Sequence, residues 1–576
     1  MRHQGRPGQG PGHRWSLLSG VAAGALAISA LAPHAATAAP GANDNKTTTP
    51  IKHVIVIIGE NRTFDHLFAT YQPRQGETVL NLLSEGIVKA DGTPGKNYSK
   101  FAQLQTQDRT VYQLSPPGAT PYSVLPAPLA GGGFVNGRPP FATVAEALTY
   151  ENGLPPSYYR FLTTGAVPPS ILGKPDIRIV YDGKNVNNLP PGPYQLTPGV
   201  PYNAYAESPV HRFYQMWQQL DCTASEGCRN DLFAWVEATV GAGSNGRPPP
   251  AGFTYEEGAT AMGFYNVQQG DMPYFKMLAD TYSMSDNFHQ AVNGGTGANH
   301  IMLGTGDAIW FSDGHGNPQT PPHNQIVAKG SPNAGKVDEI ENPNPLKGTN
   351  NWYREDGYGG GSFGSASFGG GSYTECADKT QPGVGAIVDY LKAKKVKSNC
   401  QPGHYYLLNN YNPGYFGDGS NAYADIKNPL NTVFTVPPSN VRNIGDALLK
   451  KNVSFAYFGD QFNAYLANPY NNFVTPDNLY CNICNFFQYS TSIMTNDKVR
   501  ASALQDTLDL YADLMSGNLP AVSFVKPSGY LDGHPASSKV NLLEGFVKKI
   551  VDLTQANKTL AADTAIFITM DEGGGY

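Results

Sequence analysis

From His53 to Ile58 the chain runs HVIVII, a continuous apolar stretch rich in β-branched side chains and bounded by Pro50 and Gly59. Such a run without polar alternation reads as a buried strand of a parallel sheet. Val453–Phe458, Ala521–Val525 and Thr564–Met570 have the same character. Two stretches between them carry helical periodicity instead. Leu504, Leu508, Tyr511 and Leu514 recur along Asp497–Met515, and Leu542, Phe546, Ile550 and Leu553 along Asn541–Leu553. Strands alternating with helices predict an α/β domain of three layers around a largely parallel sheet. Pro-rich stretches at 115–128, 189–201 and 247–250 and the run GYGGGSFGSASFGGGSY at 357–373 have no core period. They read as insertions and surface loops, the last alternatively as a lid over a substrate. There is no internal repeat.

The other long apolar run changes the picture at the start of the chain. Arg2, Arg6, His13 and Arg14 precede WSLLSGVAAGALAISALA, and small residues follow up to Ala36-Thr37-Ala38. A basic start, an apolar middle and a small-residue end predict a signal peptide over 1–38, with a membrane anchor as the alternative. No later stretch has the ~20 apolar residues needed to span a bilayer. A secreted or periplasmic protein without a stable membrane span is expected, with residues 39–576 forming one domain with insertions; the length also admits two domains. Six cysteines suit an oxidising compartment and fall in three local pairs, Cys222/Cys228, Cys376/Cys400 and Cys481/Cys484. Cys481-Asn-Ile-Cys484 also has the spacing of a redox motif or half a zinc site, but neither the second Cys/His pair nor the following helix is visible. Charge points to no polyanionic partner: 40 basic against 46 acidic residues exclude the basic excess of a nucleic-acid binder.

Candidate chemistry sits where functional groups gather in parallel sheets, past the carboxyl ends of strands. The first strand runs into Glu60-Asn61 and the last into Asp571-Glu572. Either pair alone reads as a helix cap. If the two strands are neighbours, the crowded carboxylates require a cation between them, and oxygen ligands favour Mg, Ca, Mn, Fe or Zn over a thiolate-seeking ion. A nucleophile candidate lies in SDNFHQAVNGGTGANHIMLGTG, residues 285–306, where Gly294-Gly295 permits an unusual turn ahead of Thr296. A hydroxyl there meets backbone N–H groups at a helix start; the alternative is an ordinary N-cap.

Together these segments resemble the bacterial phosphoesterase family of phospholipases C and a broad-specificity acid phosphatase, within the alkaline phosphatase superfamily. The resemblance rests on Glu60-Asn61-Arg62-Thr63-Phe64-Asp65-His66, on SDNFHQ with GGTGANH, on SGNLPAVSFVKP with DGHP, and on ITMDEGGGY, in the family's order over residues 51–576. Residues 75–270 and 305–445 carry none of its motifs. It implies an alkaline phosphatase-like sandwich holding one or more divalent metal ions through Glu60, Asn61, Asp571 and Glu572, with Thr296 completing the coordination as nucleophile. It also implies a phosphate ester substrate, a small molecule or a phospholipid headgroup, cleaved through a phosphothreonine. Asn299 matches a phosphate contact and His534 a histidine that binds phosphate or protonates the leaving group. His289 and His300 join the expected substrate-binding set, His289 being equally open to a buried structural role beside Phe288 and Ile301. Two positions depart from the phospholipases' GPTxPNR: Gly295 stands for the proline and His300 for the arginine, and the loss of that arginine weakens the implication of a phospholipid diester. The family pattern also runs on past DEGG, whereas this sequence stops at Tyr576; a fragment and a shortened gene product are the two readings, and either would leave the metal-bearing strand poorly supported. An inactive exported binding protein on the same scaffold is the competing function. A sulfatase is disfavoured because the chain has no Cys-x-Pro-x-Arg segment.

Overall fold

The computed structural model describes residues 40–576 apart from 107–111, 129–138, 152, 165–174, 210, 241–257, 322–323, 327–336, 340–372, 382, 424–434 and 473–477. The expected signal peptide, the Pro-rich stretch 247–250 and residues 357–372 of the Gly/Ser run lie outside the described residues.

Five strands, β1 (His53–Gly59), β2 (Phe455–Gly459), β3 (Leu504–Asp506), β4 (Val522–Lys526) and β5 (Thr564–Met570), form one sheet in the order β3-β2-β4-β1-β5. Every pairing in it is parallel, so all five strands deliver their carboxyl ends to one edge. Alternating side chains serve two cores. Ile55, Ile57, Ala456, Phe458 and Val525 pack with Leu510, Leu514, Leu542, Phe546 and Ile550 on one face. On the other, Phe455, Tyr457 and Phe524, with Val56 partly buried, pack against Phe486, Phe487, Ile444 and Leu448. Layers on both faces make the expected three-layer α/β sandwich.

The helices that matter to the site are α1 (Phe64–Phe68), α2 (Phe213–Gln219), α3 (Thr296–Thr305), α4 (Ile444–Lys451), α5 (Thr507–Ser516) and α6 (Val540–Ala556). The continuous helix expected over Asp497–Met515 is broken: a first helix ends at Ala503, β3 follows, and α5 starts at Thr507. Asp506 causes the restart, since it and Asp509 form a capping box in which each side chain accepts from the other's backbone N–H. Leu504 therefore belongs to the sheet and Leu508 is exposed, while Leu510, Tyr511 and Leu514 form the buried face of α5.

β5 also departs from expectation. It was expected to be buried like β1, but among the described residues it pairs with β1 alone, and Phe567 is 57 % exposed. The Pro-rich stretches 115–128 and 189–201 are irregular apart from the two-residue strands Thr120–Pro121 and Tyr194–Gln195. Cys222–Cys228, Cys376–Cys400 and Cys481–Cys484 are bonded as their spacing suggested.

Candidate functional site

The register of the sheet assembles the site. Gly59 pairs with Met570, so Glu60-Asn61 and Asp571-Glu572 leave adjacent strands side by side. Asn61 donates its backbone N–H to Asp571 Oδ1 at 3.1 Å. Asn61 holds a left-handed backbone with φ of 57°, a conformation asparagine tolerates better than most residues. Close packing explains Gly574 of the DEGGG run, because a Cβ there would lie 2.5 Å from Asn61 Cβ.

Thr296, the first residue of α3, reaches this cluster from a distant segment: its Oγ1 lies 3.3 Å from Glu60 Oε2 and 3.3 Å from Glu572 Oε1. Glu60, Asp571, Glu572 and Thr296 are all buried. The N-cap position belongs to Gly295, and Thr296 makes no capping bond. Gly295 has φ of −77°, an ordinary value, so the unusual turn expected at the two glycines is absent there. Close approach is the reason for them instead: a Cβ on Gly294 would lie 2.1 Å from Leu408 O, and one on Gly295 2.8 Å from Asn410 Oδ1.

The other expected residues are placed unequally. His300 Nε2 sits 3.2 Å from Glu60 Oε1 and 3.8 Å from Asp571 Oδ2. Asn299 folds back on its own loop, donating to Gly294 O at 3.1 Å and accepting from Val292 N at 3.1 Å. His534 is half-buried on the loop after β4, its backbone N–H bonded to Asp532 Oδ1 and its ring 6.5 Å from that of His211. His289 is exposed and bonds Asn287 Oδ1, and Phe288 beside it is 64 % exposed, so the packed role open to His289 is not what the fold gives it.

Three residues at the cluster were not singled out from sequence. His211, just ahead of α2, places Nε2 3.4 Å from Asn61 Nδ2 and 3.9 Å from Glu572 Oε1. Its Nδ1 lies 2.7 Å from Pro209 O, which fixes the proton on Nδ1 and leaves Nε2 to accept from the Asn61 amide. Arg212, next in the chain and fully buried, lowers the Glu572 carboxyl through its charge, although burial outweighs it. Lys526 ends β4 with Nζ 3.2 Å from Glu60 Oε1 and 3.2 Å from Asp532 Oδ2. A lysine closing the apolar run VSFVK was the one visible signal among the three, since lysine is rarely buried without a partner.

Burial and charge set the protonation pattern. Burial raises the Glu60 carboxyl, but Lys526, His300 and His534 outweigh it and hold Glu60 below the carboxylate range. Burial, then the charge of Glu60, pushes Asp571 and Glu572 well above theirs. His211 and His300 are held below the usual imidazole range, mainly by burial. Asn61 Oδ1, Asp571 Oδ2 and Glu572 Oε2 are buried without a hydrogen-bond partner. Hard oxygen atoms left unsatisfied among crowded carboxylates are what a divalent cation satisfies, so the residues fit such an ion. Glu60, His300 and Cys484 also bring potential ligand atoms within 4.8 Å of one another, although Cys484 is engaged in its disulfide.

A parallel α/β sheet gathers carboxylates, imidazoles and a hydroxyl past its strand ends, where the functional groups of such sheets collect. The chain belongs to the phosphoesterase family, whose sequence pattern matches residues 180–576, and it is a hydrolase acting on phosphate esters. A comparison with curated proteins returns no match. Glu60 and Asn61 precede the matched span, and it is β1, lying between β4 and β5, that brings them to the site.

Proposed function

We propose that this protein is a secreted, metal-dependent phosphoesterase of acid phosphatase type that works through a phosphothreonine at Thr296. The observation that carries the reading is the position of Thr296 Oγ1, 3.3 Å from a carboxylate oxygen of each strand end. Glu60, Asn61, Asp571 and Glu572, with Thr296, would hold the cation. When bound, a divalent ion supplies Lewis acidity to the phosphoryl oxygens and the attacking hydroxyl.

The chain's own groups account for the remaining steps. Glu60, the carboxylate held ionised, accepts the Thr296 proton as Oγ1 bonds to phosphorus in line and the ester P–O bond breaks. His534 gives a proton to the departing alcohol. Water then attacks the phosphothreonine, its proton passing to His534 while the carboxyl group returns its proton to Thr296 Oγ1, and phosphate and the free Thr296 hydroxyl result. Burial holds the His534 imidazole below its usual range. The place of His300 supports a monoester over a phospholipid diester, since its ring is directed at Glu60 and the arginine of the phospholipases is missing. Three disulfides and the leader-like start of the chain support secretion.

The test is hydrolysis of p-nitrophenyl phosphate and p-nitrophenyl phosphorylcholine by the purified full-length product, with chelator and after divalent ions are restored. Chelator-sensitive turnover of the monoester is expected. Turnover of the phosphorylcholine ester alone would place the protein with the phospholipases C. Failure on both with every ion tried would favour the binding protein on the same scaffold.

A further inference from the structure

The buried Cys481–Cys484 pair lies directly behind the phosphoesterase centre. Cys484 Sγ is 3.4 Å from Glu60 Oε1, and His300 Nε2 is 3.2 Å from that same oxygen. Glu60, His300 and Cys484 are each buried, and their ligand atoms all lie within 4.8 Å of one another. The Cys-x-x-Cys spacing lacks a second Cys/His pair in sequence, yet the fold supplies a histidine and a carboxylate in its place. We propose that Cys484, once released from its disulfide, forms with His300 and Glu60 a second metal site, one that takes a thiophilic divalent ion such as cadmium, for which cobalt serves as the spectroscopic probe.

One thiolate, one imidazole nitrogen and one carboxylate oxygen make a three-ligand set with a fourth position open, the composition suited to a thiophilic ion. The oxygen-rich cluster formed by Asn61, Asp571 and Glu572 with Glu60 Oε2 selects differently. The disulfide thus acts as a guard: while Cys484 Sγ is bonded to Cys481 it has no thiolate to offer, and thiophilic ions find no soft ligand at the centre. Lys526 Nζ now occupies Glu60 Oε1, but it retains Asp532 Oδ2 at 3.2 Å and Pro527 O at 3.1 Å when that oxygen turns to a metal. Opening the guard takes two electrons from a dithiol reductant. The Cys481–Cys484 S–S bond breaks, each sulfur leaves with a proton, and the dithiol closes to its own disulfide. The Cys484 proton is released when the ion binds.

Cobalt absorption tests this without reference to turnover, so its failure is separable from failure of the Thr296 mechanism. Cys481→Ser frees Cys484 with no reductant present, and its complex with Co2+ is expected to show the near-ultraviolet thiolate-to-cobalt charge-transfer band. Oxidised wild type is expected to lack the band, and Cys481→Ser combined with His300→Ala to lose it. Wild type treated with dithiol gives the same reading by a second route should Cys481→Ser fail to fold; Cys484→Ser treated alike sets the background of the other thiols. Absence of the band above that background in reduced wild type, or a band in Cys481→Ser that survives His300→Ala unchanged, overturns the proposal.

Discussion

Thr296 Oγ1 lies 3.3 Å from Glu572 Oε1, although 276 positions separate the two residues. Local capping does not explain that contact, because Gly295 holds the N-cap position of α3 and Thr296 caps nothing. Thr296→Ala is therefore expected to abolish p-nitrophenyl phosphate hydrolysis while leaving thermal unfolding close to wild type. Thr296→Ser, which keeps the oxygen, is expected to retain measurable turnover and to trap label from a 32P-phosphate ester after acid quench. Full activity in the alanine variant would remove Thr296 from the chemistry.

Lys526 joins the two halves of the site, since its ammonium touches both Glu60 Oε1 and Asp532 Oδ2 while Asp532 O accepts the backbone N–H of Glu60. Removing one partner of a buried ion pair leaves an uncompensated charge, a loss of about 3–5 kcal/mol. Lys526→Met is expected to destabilise the chelator-treated protein by that order in urea unfolding, and a divalent ion should restore part of it. Equal stability of the two chelated proteins would show that Glu60 carries no charge there.

The strand ends were legible in the sequence because parallel strands buried on both faces leave continuous β-branched runs, and Glu60-Asn61 and Asp571-Glu572 follow such runs directly. β3 was not, because three extended residues inside a helical period leave no pattern of their own and only pairing with Tyr457–Gly459 fixes them. His211 and Arg212 were illegible for a different reason. They belong to the long segment between β1 and β2, and nothing local marks a histidine whose partner, Asn61, lies 150 positions away. Gly294 and Gly295 were recognised as special but for the wrong cause: they admit the backbone of Leu408 and the side chain of Asn410, a tertiary demand that no turn rule contains.

That demand is itself testable at Gly294. A Cβ there would lie 2.1 Å from the carbonyl oxygen of Leu408, which is backbone and already accepts the N–H of Gly295. Gly294→Ala is expected to push the loop away from Leu408, at a cost of about 1–3 kcal/mol in stability. Turnover should fall more steeply than stability, because the start of α3 carries Thr296. Unfolding by urea and monoester hydrolysis, measured on the same preparation, separate the two effects, and an unaltered variant would show that the loop has room to shift.

Glu544 offers a pH test remote from the cluster. It is buried on α6, where Oε1 accepts the N–H groups of Tyr274 and Phe275, each at 2.9 Å. Burial outweighs those bonds and pushes its carboxyl from an ordinary 4.5 up to about 7. The folded protein therefore holds a proton that the unfolded chain gives up between these values. The resulting stabilisation is fully present below pH 4.5 and is lost as pH rises through about 7. A shift of this size corresponds to about 3 kcal/mol. Other buried carboxylates, such as Asp506, add slopes of the same sign, so the measurement is a difference: the melting temperature of wild type minus that of Glu544→Gln, followed across the window. It should decline with rising pH and level off above neutrality. A flat difference would mean that Glu544 is ionised in the fold throughout, held by the two backbone donors at the start of the helix Pro273–Thr281.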